Sequence, residues 1–306
     1  YCGDCRETCA KNLVPGEIMM SLRRYLTASY DWTGLSRRLY RSVRAHLFLI
    51  ATIFSAILGS FLLFADYTIP LKNGIVQINA FAPVKTILIA DEVLLVVLSI
   101  FLLSNIFIMY RRIILDQHGL KIPIKLYLTQ IQNAGIQFLT QLKFAKCKRK
   151  RLYWINHLLI MSSYIIMFTI IAFFLYWFQT EKVYPVTHPQ RWLGYYVAFG
   201  FLFSIIYFAF GRIRKKEPVF MYTHHSDWIF LFLLFMIALT GLMLHLFRIN
   251  GMATEAYILY TLHLSFEVPM VVTFVAFSKW SHLAYRPFAI YFKDLRDAAL
   301  KEQRKS

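Results

Sequence analysis

The chain has 306 residues, of which 58% are hydrophobic, 17% aromatic and only 16% charged, and its mean hydropathy is +0.51. Soluble domains average about 25% charged residues, so a wholly water-soluble globular protein is excluded. The net charge of +18 would point to nucleic acid in a soluble protein, but here Lys and Arg cluster between apolar runs, which is the signature of membrane topology, and no nucleic-acid partner is expected.

The first ten residues read YCGDCRETCA, placing Cys2, Cys5 and Cys9 in a C-x2-C-x3-C spacing. That is the tail of the ferredoxin-type run C-x2-C-x2-C-x3-C, whose thiolates hold [4Fe–4S] clusters. The first cysteine of such a run would fall two positions before Tyr1, so the motif is expected to begin upstream. In two-cluster runs the first three cysteines serve one cluster and the fourth serves the other; Cys2 and Cys5 would then bind one cluster and Cys9 the second. Four cysteines in all, three of them in a metal-type spacing, argue against a disulfide scaffold. A zinc knuckle would need a fourth ligand nearby. Thiolates kept for a cluster imply the reducing, cytoplasmic side of a membrane. Cys147 sits in a basic run and is read as a surface thiol. Residues 1–42 are therefore expected to be the end of a cytoplasmic ferredoxin-like domain with its linker, and residues 43–306 a six-helix membrane domain with a cytoplasmic tail.

A helix needs about 20 residues to cross a hydrocarbon core of roughly 30 Å. Six apolar runs qualify, at 45–64, 84–110, 153–178, 192–210, 228–247 and 257–280, predicting an all-α membrane protein. Arg37, Arg38, Arg41 and Arg44 precede the first run. Arg111, Arg112 and the cluster Lys146, Lys148, Arg149, Lys150 and Arg151 lie between the second and third, and Arg212, Arg214, Lys215 and Lys216 between the fourth and fifth. The alternate connections hold few basic residues: Lys72 and Lys85, Lys182 and Arg191, then Arg248. The asymmetry places both termini on the cytoplasmic side of the cytoplasmic membrane, in agreement with the cysteines. Between the second and third runs, residues 126–144 carry Leu128, Ile131, Phe138 and Leu142 at helical spacing. This segment is expected to be a helix lying on the membrane surface or packed on a soluble partner.

Nine histidines remain to be placed. Ionisable side chains inside a membrane are costly and usually functional. His118 and His188 fall in connections and receive no role. His46 is expected to face solvent or headgroups, and His224 and His225 to sit at the interface with ligation as a second role. His157 and His282 mark the cytoplasmic ends of the third and sixth spans; His245 and His263 mark the outer ends of the fifth and sixth. Two imidazoles on facing helices are a common way for a bundle to bind haem. His263 and His282, 19 positions apart, would be separated by about 28 Å along one helix. That suits two haems stacked across a bilayer, with a single haem as the alternative. The same spacing leaves the side chains about 100° apart around the axis, which a kink at Pro269 would correct.

The cysteine run followed by PGEIMMSLRRYL, with six spans ending in FSKWSHLAYRPF, resembles the membrane subunit of quinone-interacting membrane-bound oxidoreductase. It is similar as well to the cytochrome b subunits of heterodisulfide reductase-type and sulfite-reduction-associated complexes, and more distantly to that of respiratory nitrate reductase. The resemblance covers nearly the whole chain, and SKWSH with YRP is its most specific stretch. It implies haem b, [4Fe–4S] clusters, a membrane quinone such as menaquinone, and cytoplasmic iron–sulfur or flavin oxidoreductase subunits as partners. It assigns His263 and His282 as ligands on the final helix and His157 as the cytoplasmic ligand on an earlier one. Where the nitrate reductase pattern has a second histidine about ten residues after His157, this chain has Met167. His245 or Met167 would complete the outer haem. Ala10 replaces the usual proline of the ferredoxin run.

Quinone chemistry also needs a group that moves protons. Glu267 lies four residues past His263, on the same helical face, and Asp91 and Glu92 lie near the outer end of the second span. These three are candidate proton carriers. Otherwise Asp91 and Glu92 reach the outer headgroups and Glu267 bonds a neighbouring helix. A haem-free membrane anchor or ion transporter is the competing function.

Overall fold

The apolar runs fold as helices because, in hydrocarbon, only a helix or a closed barrel satisfies every backbone amide internally. The computed structural model describes residues 15–65, 71–72, 74–117, 120–140 and 151–304. Cys2, Cys5 and Cys9, with the cluster assigned to them, lie outside the described residues, as do Cys147 and His118.

In chain order the helices are α1 (Pro15–Tyr30), α2 (Leu35–Arg41), α3 (Val43–Phe64), α4 (Ile78–Phe81), α5 (Val84–Tyr110), α6 (Ile124–Thr140), α7 (Arg151–Phe178), α8 (Pro189–Arg214), α9 (Pro218–Met221), α10 (His225–Ile249), α11 (Ala253–Phe274) and α12 (His282–Gln303). A short antiparallel hairpin, β1 (Leu71–Lys72) and β2 (Ile75–Val76), pairs Leu71 with Val76 and Lys72 with Ile75. Among the described residues six helices are long and apolar enough to cross a membrane: α3, α5 with the π-helical turn that extends it to Leu115, α7, α8, α10 and α11. The chain is thus a multi-pass membrane protein. Leu63 and Phe64 are 77% and 85% exposed, as expected of side chains meant for lipid.

The sixth span differs from the sequence reading. Helix α11 stops at Phe274, and residues 275–278 form a turn. A 3-10 turn, Lys279–Ser281, then leads into α12, which begins at His282. His263 and His282 therefore do not share one helix, and the 28 Å spacing along a common axis does not apply. The turn looked helical because it is apolar; Ala276, Phe277 and Ser278 are buried, so hydropathy marks burial there rather than a helix.

The chain forms two compact units. One comprises residues 1–41, 98–154 and 274–306, the other residues 42–97 and 155–273. In the first, α2 is nucleated by Asp31, whose carboxylate accepts hydrogen bonds from the amides of Thr33 (2.9 Å) and Ser36 (2.7 Å). Trp32 stacks on Phe101 and donates to Ser104 Oγ at 3.0 Å, fastening this N-terminal segment to α5. Helix α6 packs on α12, where Tyr291 donates to the Tyr127 carbonyl at 3.0 Å, and is tied to the end of α5 by a 2.9 Å contact between the hydroxyls of Tyr127 and Tyr110. Its other face carries Ile124, Leu128, Ile131 and Leu139, all exposed, the i, i+4, i+7 pattern of an amphipathic stripe. The helix expected at 126–144 is present with bounds of 124–140.

Burial, and then the bond to Tyr110, push the Tyr127 phenol up to about 12, above the ordinary value of about 10. A raised pKa means the folded state holds the proton more tightly than the unfolded chain. The contribution of Tyr127 to α6 docking is then intact below pH ~10 and lost as pH rises through ~12. Tyrosinate absorbance recorded alongside helicity should show a titration near pH 12 that accompanies the loosening of α6, and Tyr127→Phe should remove one tyrosine from the late phase and uncouple it from helicity.

In the second unit, α7 and α8 approach closely because small residues face each other. A Cβ on Gly200 would lie 2.0 Å from Ser163 Oγ, and Ser204 Oγ donates to Asn156 Oδ1 at 3.0 Å. The hairpin and α4 pack on the start of α11, where Phe81 stacks on Tyr257 with ring centroids 4.2 Å apart, among buried Val76, Ile78, Ala256 and Tyr260. A polar lock closes this end. Glu181 accepts from the amides of Ile78 (3.2 Å) and Asn79 (2.5 Å). Arg248 donates to the carbonyls of Val76 (3.2 Å) and Thr180 (2.6 Å) and pairs with Glu181 at 3.4 Å. Gln179 donates to Asn79 Oδ1 (3.1 Å) and the Ala82 carbonyl (2.9 Å), while Tyr260 donates to Gln179 Oε1 (3.0 Å).

Candidate functional site

Helices α10 and α11 bring the first group of predicted residues together. The Thr240 hydroxyl donates to the Met236 carbonyl at 2.6 Å. Its single proton is thereby committed, so its 3.0 Å contact with His263 Nδ1 must be N–H of the imidazole donating to the hydroxyl oxygen. The tautomer follows: His263 carries its proton on Nδ1 and its lone pair on Nε2. Gly241 makes room for this ring, since a Cβ there would lie 2.9 Å from His263 Cε1. Glu267, one turn along α11, places Oε2 3.9 Å from His263 Nε2. Asp91, on α5, is near enough for its charge to act on Glu267 and on Tyr260. Glu92 is exposed on the same helix and Asp91 half-buried. Of the three predicted carboxylates, the structure associates Asp91 and Glu267 and turns Glu92 outward.

His245 is held differently. Arg191 Nη1 donates to its Nδ1 at 2.9 Å, and Tyr195 OH lies 3.0 Å from its Nε2. A guanidinium only donates, so Nδ1 is the acceptor and Nε2–H donates to Tyr195. Both ring nitrogens are committed. Ligation through Nε2 would require a proton on Nδ1, facing the Arg191 N–H. Met167 is half-buried on α7.

At the ends flanked by the Arg- and Lys-rich connections, His282 donates from Nδ1 to the Lys279 carbonyl, which leaves the lone pair on Nε2, the tautomer a metal ligand needs. His157 is half-buried in the second turn of α7, beside Asn156. His157 belongs to the second compact unit and His282 to the first.

The largest departure from the sequence reading is His46. It was expected at solvent or headgroups and is fully buried, 0% exposed, in the first turn of α3. The His225 ring, on α10, lies 6.0 Å away between centroids, with the ring planes at 78°. His224 stacks beside His225 at 3.9 Å and caps α10: its Nδ1 accepts from the Ser226 amide (3.3 Å), while its own amide donates to Asp227 Oδ2 (3.1 Å). Asp227 also faces buried Arg212 of α8 at 3.9 Å. A signal for this cluster was present, because His46 and the His224–His225 pair each open a span at a basic end and so share a depth. Thr240, Arg191 and Tyr195 carried no such signal.

Haem b supplies four nitrogens and asks two axial ligands of a protein. His263 and His282 each hold Nδ1 in a hydrogen bond, the arrangement that suits a haem ligand; His245, with both ring nitrogens bonded, does not. Among the described residues no three His, Cys, Asp or Glu side chains gather as a site for a bare metal ion. Compared with protein-family models, curated proteins and solved structures, the chain shows no match.

Proposed function

We propose that the chain is the membrane electron-transfer subunit of a quinone oxidoreductase complex. In this reading it exchanges electrons between a membrane quinone, such as menaquinone, and cytoplasmic iron–sulfur or flavin subunits, with both termini on the cytoplasmic side. Cys2, Cys5 and Cys9 bind [4Fe–4S] clusters, and His157, His263 and His282 are haem ligands, with Met167 or His245 completing the outer pair. The observation that carries the reading is the His263 assembly: an imidazole inside an apolar span, hydrogen-bonded through Nδ1 to Thr240, with the Glu267 carboxyl group one turn away. Haem b, when bound, supplies a one-electron carrier. The chain itself fixes the imidazole tautomer through Thr240 and moves protons at Glu267 and Asp91. Because Arg191 and Tyr195 hold both nitrogens of His245, the reading favours Met167 as the outer partner.

A second reading, a haem-free anchor or ion transporter, is favoured by one feature alone: Asp91 and Glu267 come from different spans and the charge of Asp91 acts on Glu267, as in an intramembrane ion path. An optical spectrum of the purified chain separates the two. A b-type Soret and reduced α-band should be present, and His263→Ala should lower haem content by one per chain. A spectrum without haem bands would sink the electron-transfer reading and leave the transporter.

A further inference from the structure

We infer that α1 is an in-plane membrane anchor, its apolar face sunk into the headgroup layer of an anionic phospholipid leaflet. The inference goes beyond the electron-transfer reading and needs neither haem nor cluster. This stretch was expected to be the end of a soluble domain and its linker. Yet Ile18, Met19, Leu22, Tyr25 and Leu26 are all exposed, from 38% to 69%. At about 100° per residue the five share one stripe about 120° wide, and buried Thr27 and half-buried Met20 lie opposite it. Such a face calls for a cover, and two observations identify it as lipid. The first is depth. Trp32, just past the end of α1, stacks on Phe101 and donates to Ser104 Oγ at 3.0 Å. Ser104 precedes Arg111, the first basic residue after the apolar run, by seven positions, about 10 Å along a helix. Amphipathic helices bury their apolar face about 5–10 Å into the headgroup–acyl boundary. Trp32 is still 64% exposed at that level, its N–H already satisfied, which is the arrangement of an interfacial tryptophan. A soluble partner would have to enter the bilayer to cover it. Arg112 fixes the segment there, donating to Ser29 Oγ at 3.2 Å with its guanidinium 5.5 Å from the centre of the Tyr30 ring, and Tyr30 is buried with Ile106 and Met109. The second observation is charge. Residues 15–41 hold Arg23, Arg24, Arg37, Arg38 and Arg41 against Glu17 and Asp31, and Asp31 is spent on the amides of Thr33 and Ser36. Arginines beside an apolar stripe suit phosphate headgroups. Because α1 begins at Pro15, close behind Cys9, the anchor tethers the cysteine run to the membrane surface.

The test uses the full chain in nanodiscs of phosphatidylglycerol and phosphatidylcholine, one chain per disc, with brominated acyl chains or aqueous acrylamide as tryptophan quenchers. Emission is read as the difference between each variant and wild type. Tyr25→Trp adds an indole on the stripe and, as an exchange of one exposed aromatic for another, leaves the fold intact. Its emission should be lost to bromolipid and survive acrylamide. Glu17→Trp, on the far side of the helix from the stripe, should show the reverse. The emission that disappears in Trp32→Phe should be bromolipid-sensitive as well. A Tyr25→Trp probe open to acrylamide and blind to bromolipid overturns the inference and leaves the face to a soluble subunit. A probe shielded from both quenchers overturns it in favour of a protein cover, a second copy or another segment of this chain. Bromolipid quenching of both Tyr25→Trp and Glu17→Trp overturns the in-plane placement, because the helix is then inserted whole. A chain that purifies without haem sinks the electron-transfer reading but leaves this test unchanged, so the two fail separately.

Discussion

Replacing Arg248 with Ala should destabilise the protein by about 3 kcal/mol, the low end of the range for breaking a buried ion pair. The low end applies because the Arg248 side chain is 11% exposed but that of Glu181 is 32% exposed, so water relieves part of the orphaned charge. Three partners are abandoned at once: the Val76 and Thr180 carbonyls and the Glu181 carboxylate. The damage should spread, because Glu181 is also what holds the first amides of α4. Thermal unfolding in detergent measures the effect. Arg248→Lys should recover only part of it, since one ammonium cannot reproduce the fork that reaches two carbonyls and a carboxylate. If Arg248→Ala and Glu181→Gln together cost the sum of the single changes, the two residues are not acting as one unit and the lock is wrongly described.

The second large effect is expected at Glu267. Oxidation of a quinol releases two electrons and two protons, and hydrocarbon accepts neither proton. Glu267 lies one helical turn from His263, with the charge of Asp91 acting on it from α5, and on the proposed reading it is the group that takes up the proton. Glu267→Gln preserves shape and polarity but cannot carry a proton. Quinol oxidation should fall by about 100-fold, the lower limit for general acid–base groups, while every haem stays bound and reducible by dithionite. Full quinol activity in this variant would move the quinone site elsewhere, toward α7 near Tyr164, and reduce Glu267 to a packing residue. Thr240→Val is a useful companion, because it removes the acceptor that sets the His263 tautomer and should disturb haem spectra without touching a carboxylate.

The six spans and the surface helix were legible because hydrophobic length and periodicity are local properties of the chain. The end of α11 was not. Ala276, Phe277 and Ser278 are buried in a turn, and a hydropathy window does not distinguish apolar residues in a buried turn from apolar residues in a helix. His46 was misplaced for a related reason: proximity to a basic flank suggested exposure, whereas burial depends on which neighbour covers that face, and the neighbour, His225, is 179 positions away. Glu267 near His263 was readable because it is an i, i+4 relation within one helix. The partners of His245 come from another helix and could not be read. The Arg248–Glu181 lock had a faint signature, as an acid and a base in connections otherwise poor in charge, but nothing in the sequence says that the two meet.

One position near that lock has almost no chemical alphabet. Gly251 closes α10 at φ +71°, a conformation side chains rarely adopt, and a Cβ there would fall 2.6 Å from the Gly74 carbonyl of the hairpin. The two constraints are independent: relaxing the backbone leaves the collision, and moving the hairpin leaves the dihedral. Drift at this site can therefore not proceed in small steps, and a lineage that lost the glycine would have to rebuild the turn after α10 and the hairpin together. Codon 251 should behave as a fixed point while the lipid-facing positions around it exchange one apolar residue for another.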